Sequence, residues 1–223
     1  MEPIVAPQNL FVDEAPRRVY VPERLMTFEQ FLDAYGEDDE VELIDGVAVE
    51  KMSAQLEHES LYHWIVMTLG VFIKETNAGI FLGSRTPVRI NNHRGRLPDL
   101  LFVAAVRRGI VQQKAIYGAP DMIIEIVSPY DRPSDIASLE TDYRAIGVGE
   151  IVFLDQRKLT VRTLHRDTAT GDYSDVTATA GDLVFAAVPG FQVPVVALWQ
   201  SPQPSPFSVL LPLLQPAPPS DTV

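Results

Sequence analysis

Two acidic residues sit where the sequence makes acids expensive. Asp99 opens the run Pro98-Asp99-Leu100-Leu101-Phe102-Val103, and Glu125 lies inside Asp121-Met122-Ile123-Ile124-Glu125-Ile126-Val127, closed by Ser128-Pro129. Short apolar runs rich in β-branched residues and bounded by Pro and Gly predict two strands buried on both faces. An ionised carboxylate in such a strand needs a partner, a proton or a metal. If the strands are neighbours the acids meet, and at about 4 Å they repel by roughly 4 kcal/mol at an effective dielectric near 20. A divalent cation answers that repulsion most simply. A third acid, Glu42, belongs to Val41-Glu42-Leu43-Ile44 and faces opposite to Val41 and Leu43. A solvated strand face is the ordinary reading of that position.

The elements that must position these acids are legible in the flanking sequence. Thr27-Phe28-Glu29-Gln30 carries a capping-box pattern and predicts a short amphipathic helix ending near Gly36. Two alternating runs flank Asp45-Gly46, a dipeptide that reaches positive φ cheaply, and predict a hairpin. From Ser53 to Asn77 the residues Leu61, Trp64, Ile65, Leu69, Phe72 and Ile73 recur at helical spacing, which predicts the main packing helix. His58 lies on its first turns and His63 on its polar flank; both read as structural or solvated, with His58 the better functional candidate. Ile80 to Ile90 returns to strand character, and a turn at residues 91–96 leads into Pro98-Asp99. Arg85, Arg89, Arg94, Arg96, Arg107, Arg108 and Lys114 either make one face positive or stay in solvated loops. Ser134 to Ile146 predicts a helix stopped by Gly147, followed by a strand over 150–155 and a meander over 159–177. Residues 189–200 predict a short closing helix.

One core is expected. Residues 1–22 read as an extended arm, 23–200 as a single domain, and the Pro-rich residues 201–223 as an extended tail or an oligomer contact through Phe207 to Leu214. The chain has no cysteine, no basic-then-apolar amino terminus and no apolar run of about 18 residues. That predicts a cytoplasmic protein with no membrane span and no disulfide or thiolate metal site. With 18 basic and 30 acidic residues the net charge is −12. Such a balance argues against tight nonspecific binding to a polyanion, which rests on neutralising phosphates with Lys and Arg.

Taken jointly, Val41 to Gly46, Leu97 to Val103, Gly118 to Asp121, Ile124 to Pro129 and Tyr143 to Glu150 resemble the Uma-type endonuclease family. That family belongs to the PD-(D/E)xK, restriction-endonuclease-like superfamily. The likeness covers about residues 25–200 in the family's order and spacing. It implies an α/β fold with a central mixed sheet flanked by helices. It further implies Asp99 and Glu125 as Mg²⁺ ligands, Glu42 as an additional catalytic acid, and the carbonyl of Ile126 as a further metal ligand. Mg²⁺ takes one or two carboxylates plus substrate phosphate oxygens, so this set suits phosphodiester hydrolysis, with Mn²⁺ as a substitute.

The chain departs from that pattern at one point. The superfamily carries a Lys two residues after the second acid, where this chain has Val127. Family members often place the Lys on the following helix instead, four residues before the Tyr matching Tyr143, where this chain has Leu139. No Lys occurs between Lys114 and Lys158. Arg132 or Arg144 can supply charge but, being always protonated, cannot act as a base. Either Lys51, Lys114 or His58 reaches in from elsewhere, or catalysis is impaired. The leading expectation is a Mg²⁺-dependent DNA endonuclease, dimeric because cutting both strands of a duplex needs two sites related by symmetry. The alternatives are a nuclease-fold protein that no longer cleaves and serves as a binding or assembly module, and an α/β domain whose acids make structural hydrogen bonds.

Overall fold

The structure, a computed structural model, describes residues 19–20, 24–36, 39–51 and 56–215. Of the arm expected over residues 1–22, only Val19–Tyr20 (β1) falls within the described residues. Alternation sets the first sheet. In β2 (Val41–Ile44) the side chains of Val41 and Leu43 enter an apolar cluster with Phe28 and Phe31 of α1 (Phe28–Ala34), so Glu42 must face the other way. Asp45 and Gly46 take φ of 50° and 81°, which the two-residue turn into β3 (Val47–Glu50) requires. With β5 (Val88–Asn91) and β6 (Arg94–Arg96) these strands form a sheet of order β1-β3-β2-β6-β5.

The larger sheet holds the fully apolar strands. Its order is β11-β10-β9-β8-β7-β4, built from β4 (Gly79–Gly83), β7 (Leu100–Ala104), β8 (Met122–Val127), β9 (Glu150–Asp155), β10 (Thr160–Arg166) and β11 (Tyr173–Ala178). Its neighbouring pairs are antiparallel except β8 and β9, which run parallel and are joined by α4 (Pro133–Ile146), the crossover that a parallel pair demands. Proline at the start of α4 pre-sets its φ, and Gly147 at φ 80° ends it. Leu100, Phe102, Ile124 and Ile126 face α2 (Leu56–Ile65) and α3 (Val71–Glu75), whereas Leu101, Val103, Ile123 and Val127 face α4 with Tyr143. The fold is therefore the mixed sheet between helices that the sequence implied. No helix among the described residues is long and apolar enough to cross a membrane.

Four local expectations change. The packing helix is interrupted by a π-helical turn at Val66–Gly70, where the Thr68 hydroxyl donates to the carbonyls of Trp64 and Ile65 and competes with the backbone ladder. Ile80 to Ile90 splits into β4 and β5 in different sheets, because the chain turns through Ser84 to Pro87. Within 189–200 the helix is confined to α5 (Val195–Leu198), preceded by β13 (Gln192–Pro194), which pairs with β12 (Asp182–Val184). Residues 206–214 are not extended: they form α6 (Pro206–Leu214), with Leu210 buried in the same cluster as α2 and α3. Residues 216–223 lie outside the described residues.

The turn after β9 supplies a pH-dependent contact. Asp155 accepts the N–H groups of Arg157 and Lys158 at 3.1 and 3.0 Å and pairs with the Lys158 ammonium at 2.9 Å. Burial opposes its charge, but the hydrogen bonds and charge of Lys158 outweigh it and hold the carboxyl below the usual range. A depressed folded value means stability that is present above the unfolded value and lost as pH falls through the folded one. Asp155→Asn is therefore expected to lose about 1 kcal/mol at neutral pH. The gap to wild type, measured by urea midpoints, narrows below about pH 3.9, the ordinary Asp value. A gap that stays constant as pH falls rules out this account.

Candidate active site

Strand register brings the two buried acids together. Leu100, the first residue of β7, pairs with Ile124 of the antiparallel β8, so Asp99 just before β7 and Glu125 just after Ile124 meet at the end of that pairing. Glu125 has the parity of Ile123 and Val127 and so lies on the α4 side of the sheet, whereas Asp99, ahead of its strand, also reaches His58 of α2. The N–H of Ile126 donates to Asp99 Oδ2 at 2.8 Å and ties the first acid to the second strand. Asp99 and Glu125 are 3% and 5% exposed and form the floor of a cleft of about 220 Å³. Glu42, Lys51, His58 and Arg96 also line it, with Glu50, Ser128, Asp131, Asp135 and Ser138 adding further polar groups.

Each carboxylate is held by a different set of donors. The Lys51 ammonium donates to Asp99 Oδ1 at 2.7 Å and to the carbonyl of Leu97 at 2.8 Å, and His58 Nε2 lies 3.2 Å from Asp99 Oδ2. Burial disfavours the Asp99 charge, yet Lys51 and His58 hold its carboxyl well below the usual range. Glu125 Oε1 accepts a short hydrogen bond from the Tyr143 hydroxyl of α4. Its burial, and then the neighbouring charge of Asp99, push its pKa up to about 8. Lys51 is pulled in both directions: burial lowers its pKa, but Asp99, Glu125 and Glu42 outweigh that and hold it above the ordinary lysine value. The Lys51 ammonium thus supplies the counter-charge of Asp99, while burial beside Asp99 favours the proton on Glu125.

Glu42 is fixed by a separate ion network that joins the small sheet to α4. Its Oε2 accepts from Arg96 Nη1 at 2.7 Å and its Oε1 from the N–H of Leu97 at 3.0 Å. Arg96 also donates through Nε to Asp142 at 2.6 Å and through Nη2 to Ser138 at 2.6 Å. Arg94 reaches the same Asp142 and Ser138 and extends to Asp45. Arg94 and Arg96 are therefore committed inward, and Arg107 pairs with Asp121, so these three arginines spend their charge on protein carboxylates. Buried carboxylates recruit the nearest guanidinium groups because an unpaired charge there is too costly.

The cleft contains Glu42, Asp99, Glu125 and Ile126 together with Lys51 and His58, and both positions where a lysine was missed, Val127 and Leu139, line it as well. Lys114 is elsewhere, paired with Asp33 at 2.7 Å on the surface. Arg132 occupies the N-cap position of α4, where its backbone N–H donates to Asp135, and Arg144 pairs with Glu140 and lies over the Tyr173 ring. His63 is exposed beside Glu59. Three participants were not read as site residues: Tyr143, Asp142 and Ser138. Tyr143 opens the family-like run Tyr143 to Glu150, and the signal for Ser138 and Asp142 is helical, since they are four apart on α4, a spacing that presents both to one side.

A divalent metal fits this donor set by chemistry more than by preformed geometry. Among the described residues no group of three or more His, Asp or Glu side chains is arranged to hold a metal ion. Two adjacent carboxylates and a nearby main-chain carbonyl are nevertheless the hard oxygen ligands that Mg²⁺ takes, with water and phosphate oxygens completing its shell.

Comparison with known proteins places the chain. A family model described as "Uma2: Putative restriction endonuclease" matches residues 28–196. A search of curated proteins returns no match. Among solved structures the chain is similar to a crystal structure described as a "putative nuclease belonging to DUF820" from Anabaena variabilis. The two are 17% identical with a TM-score of 0.65, covering 78% of this chain and 97% of that one. That likeness bears on the fold, the mixed α/β restriction-endonuclease-like architecture.

Proposed function

Because the chain belongs to the Uma2 restriction-endonuclease family, we propose that it is a divalent-metal-dependent nuclease that hydrolyses phosphodiester bonds in DNA. One observation carries the reading: Asp99, just ahead of β7, and Glu125 of β8 are both buried and line one cleft together with Glu42. Asp99, Glu125 and the carbonyl of Ile126 would hold Mg²⁺, or Mn²⁺ in its place. When bound, the ion would polarise the scissile phosphate and raise the acidity of a nearby water. Tyr143 aims Glu125 through its hydroxyl, and Arg96 with the Leu97 N–H aims Glu42 at the cleft as an additional acid. Cutting both strands of a duplex would use a homodimer, with one site from each copy.

A second reading has its own support. Both Asp99 oxygens already accept protein donors, and Lys51 supplies the cation, which suits a nuclease fold retained as a binding or assembly module. Calorimetric Mn²⁺ titration and plasmid cleavage, run on wild type and Glu125→Ala, separate the two. The nuclease reading expects Mn²⁺ binding that the variant loses, and cleavage reduced by about a thousandfold or more. A wild type that neither binds Mn²⁺ nor cuts favours the module.

A further inference from the structure

We infer that Lys51, at the end of the β2–β3 hairpin, supplies the catalytic lysine that this chain lacks at Val127 and Leu139. The inference rests on the nuclease reading above. Its ground is convergence: Lys51, Val127 and Leu139 all line the one cleft whose floor is Asp99 and Glu125. Val127 shares a strand face with Glu125 by the two-residue period, and Leu139 lies one helical turn before Tyr143, which touches Glu125. A lysine at either place would extend toward the same carboxylates that Lys51 reaches from the small sheet. Lys51 directly follows β3, whose Val49 pairs with Glu42 in β2, so one hairpin delivers both an acid and an ammonium to the cleft.

The hydrogen bonding of the ammonium supports a catalytic role beyond neutralising Asp99. Lysine has three N–H donors. Two go to Asp99 Oδ1 and to the Leu97 carbonyl, which anchor the group, while its side chain is 29% exposed and so remains open to the cleft. Among the described residues these are its two hydrogen-bond partners, and the third N–H falls, on this inference, to the oxygen of the attacking water. Lys51 stays a cation throughout: it orients that oxygen toward phosphorus and offsets the negative charge that develops on the phosphate oxygens. The water oxygen forms a new bond to phosphorus as the bond from phosphorus to one sugar oxygen breaks. One water proton ends on the departing sugar oxygen, and the other leaves the phosphate monoester for solvent.

The test combines Lys51→Met with the double variant Lys51→Met/Leu139→Lys, each assayed for plasmid cleavage with Mn²⁺ and for calorimetric Mn²⁺ affinity. Lys51→Met is expected to cleave about 100-fold more slowly or worse. Its Mn²⁺ affinity should be equal to wild type or tighter, because a cation competing for Asp99 has been removed. The double variant should recover at least about tenfold of the lost rate, since the ammonium returns to the cleft from α4. Lys51→Gln, which keeps a donor to Asp99 and Leu97, should show the same loss and serves where Met disturbs the hairpin. Wild-type cleavage that Lys51→Met leaves within about threefold overturns the lysine's role alone. So does a parallel loss of cleavage and Mn²⁺ affinity, which would make Lys51 a structural support for Asp99. A wild type that binds Mn²⁺ but cuts nothing overturns the nuclease reading, and the lysine's role with it.

Discussion

Asp99→Ala is expected to lose about 3–5 kcal/mol of folding stability together with metal-dependent cleavage, because one carboxylate serves both purposes. In the folded protein it neutralises the Lys51 ammonium, contacts His58 and accepts the N–H of Ile126. Truncation leaves a partly buried cation without its counter-charge and a buried N–H without an acceptor, and that penalty exceeds the net value of the original pair. Asp99→Asn keeps an acceptor for Ile126 and should be less destabilising than Ala while still removing the charge that a metal needs. Urea unfolding of both variants, with the slope checked for constancy, measures the difference. A loss below about 1 kcal/mol for Asp99→Ala would show that the site relaxes or hydrates freely, contrary to its burial.

Removing Arg96 is the second large effect. Arg96→Met is expected to cost about 3–5 kcal/mol, since it strands Glu42 and weakens the hold on Asp142 in one step. Arg94→Met should cost about 1 kcal/mol, because its Asp45 partner is 81% exposed and Asp142 keeps Arg96. The order matters more than either size. If Arg94 proves the costlier of the two, the buried network is not what joins the small sheet to α4. Arg96→Met should also blunt cleavage, since a Glu42 released from Arg96 no longer holds one position in the cleft.

Much of this arrangement was legible in residue order. The Asp45-Gly46 turn, the capping box at Thr27 and Gln30, the stop at Gly147 and the apolar strands bearing Asp99 and Glu125 are all local patterns, and each has its expected form. What misled were places where a long-range neighbour overrode a local preference. The Phe207 to Leu214 segment reads as a Pro-rich tail, but its apolar residues find the surface of α2 and α3 and fold into α6. Arg94 and Arg96 read as part of a basic face or of solvated loops, but the buried Asp142 and the part-buried Glu42 lie within reach and draw them inward.

By itself the sequence determined which residues are acids in costly positions, which strand each occupies and which way each faces, because alternation and turn chemistry act over a few residues. The tertiary structure alone decided which charges meet. The pairing of β7 with β8 brings Asp99 and Glu125 to one end of the two strands, and hairpin packing carries Lys51 48 residues along the chain to Asp99. The Arg96 bridge joins Glu42 in β2 to Asp142 in α4. Desolvated charges interact over a few ångströms of space whatever their separation in sequence, so a lysine absent from both expected positions is present in the cleft that those positions line.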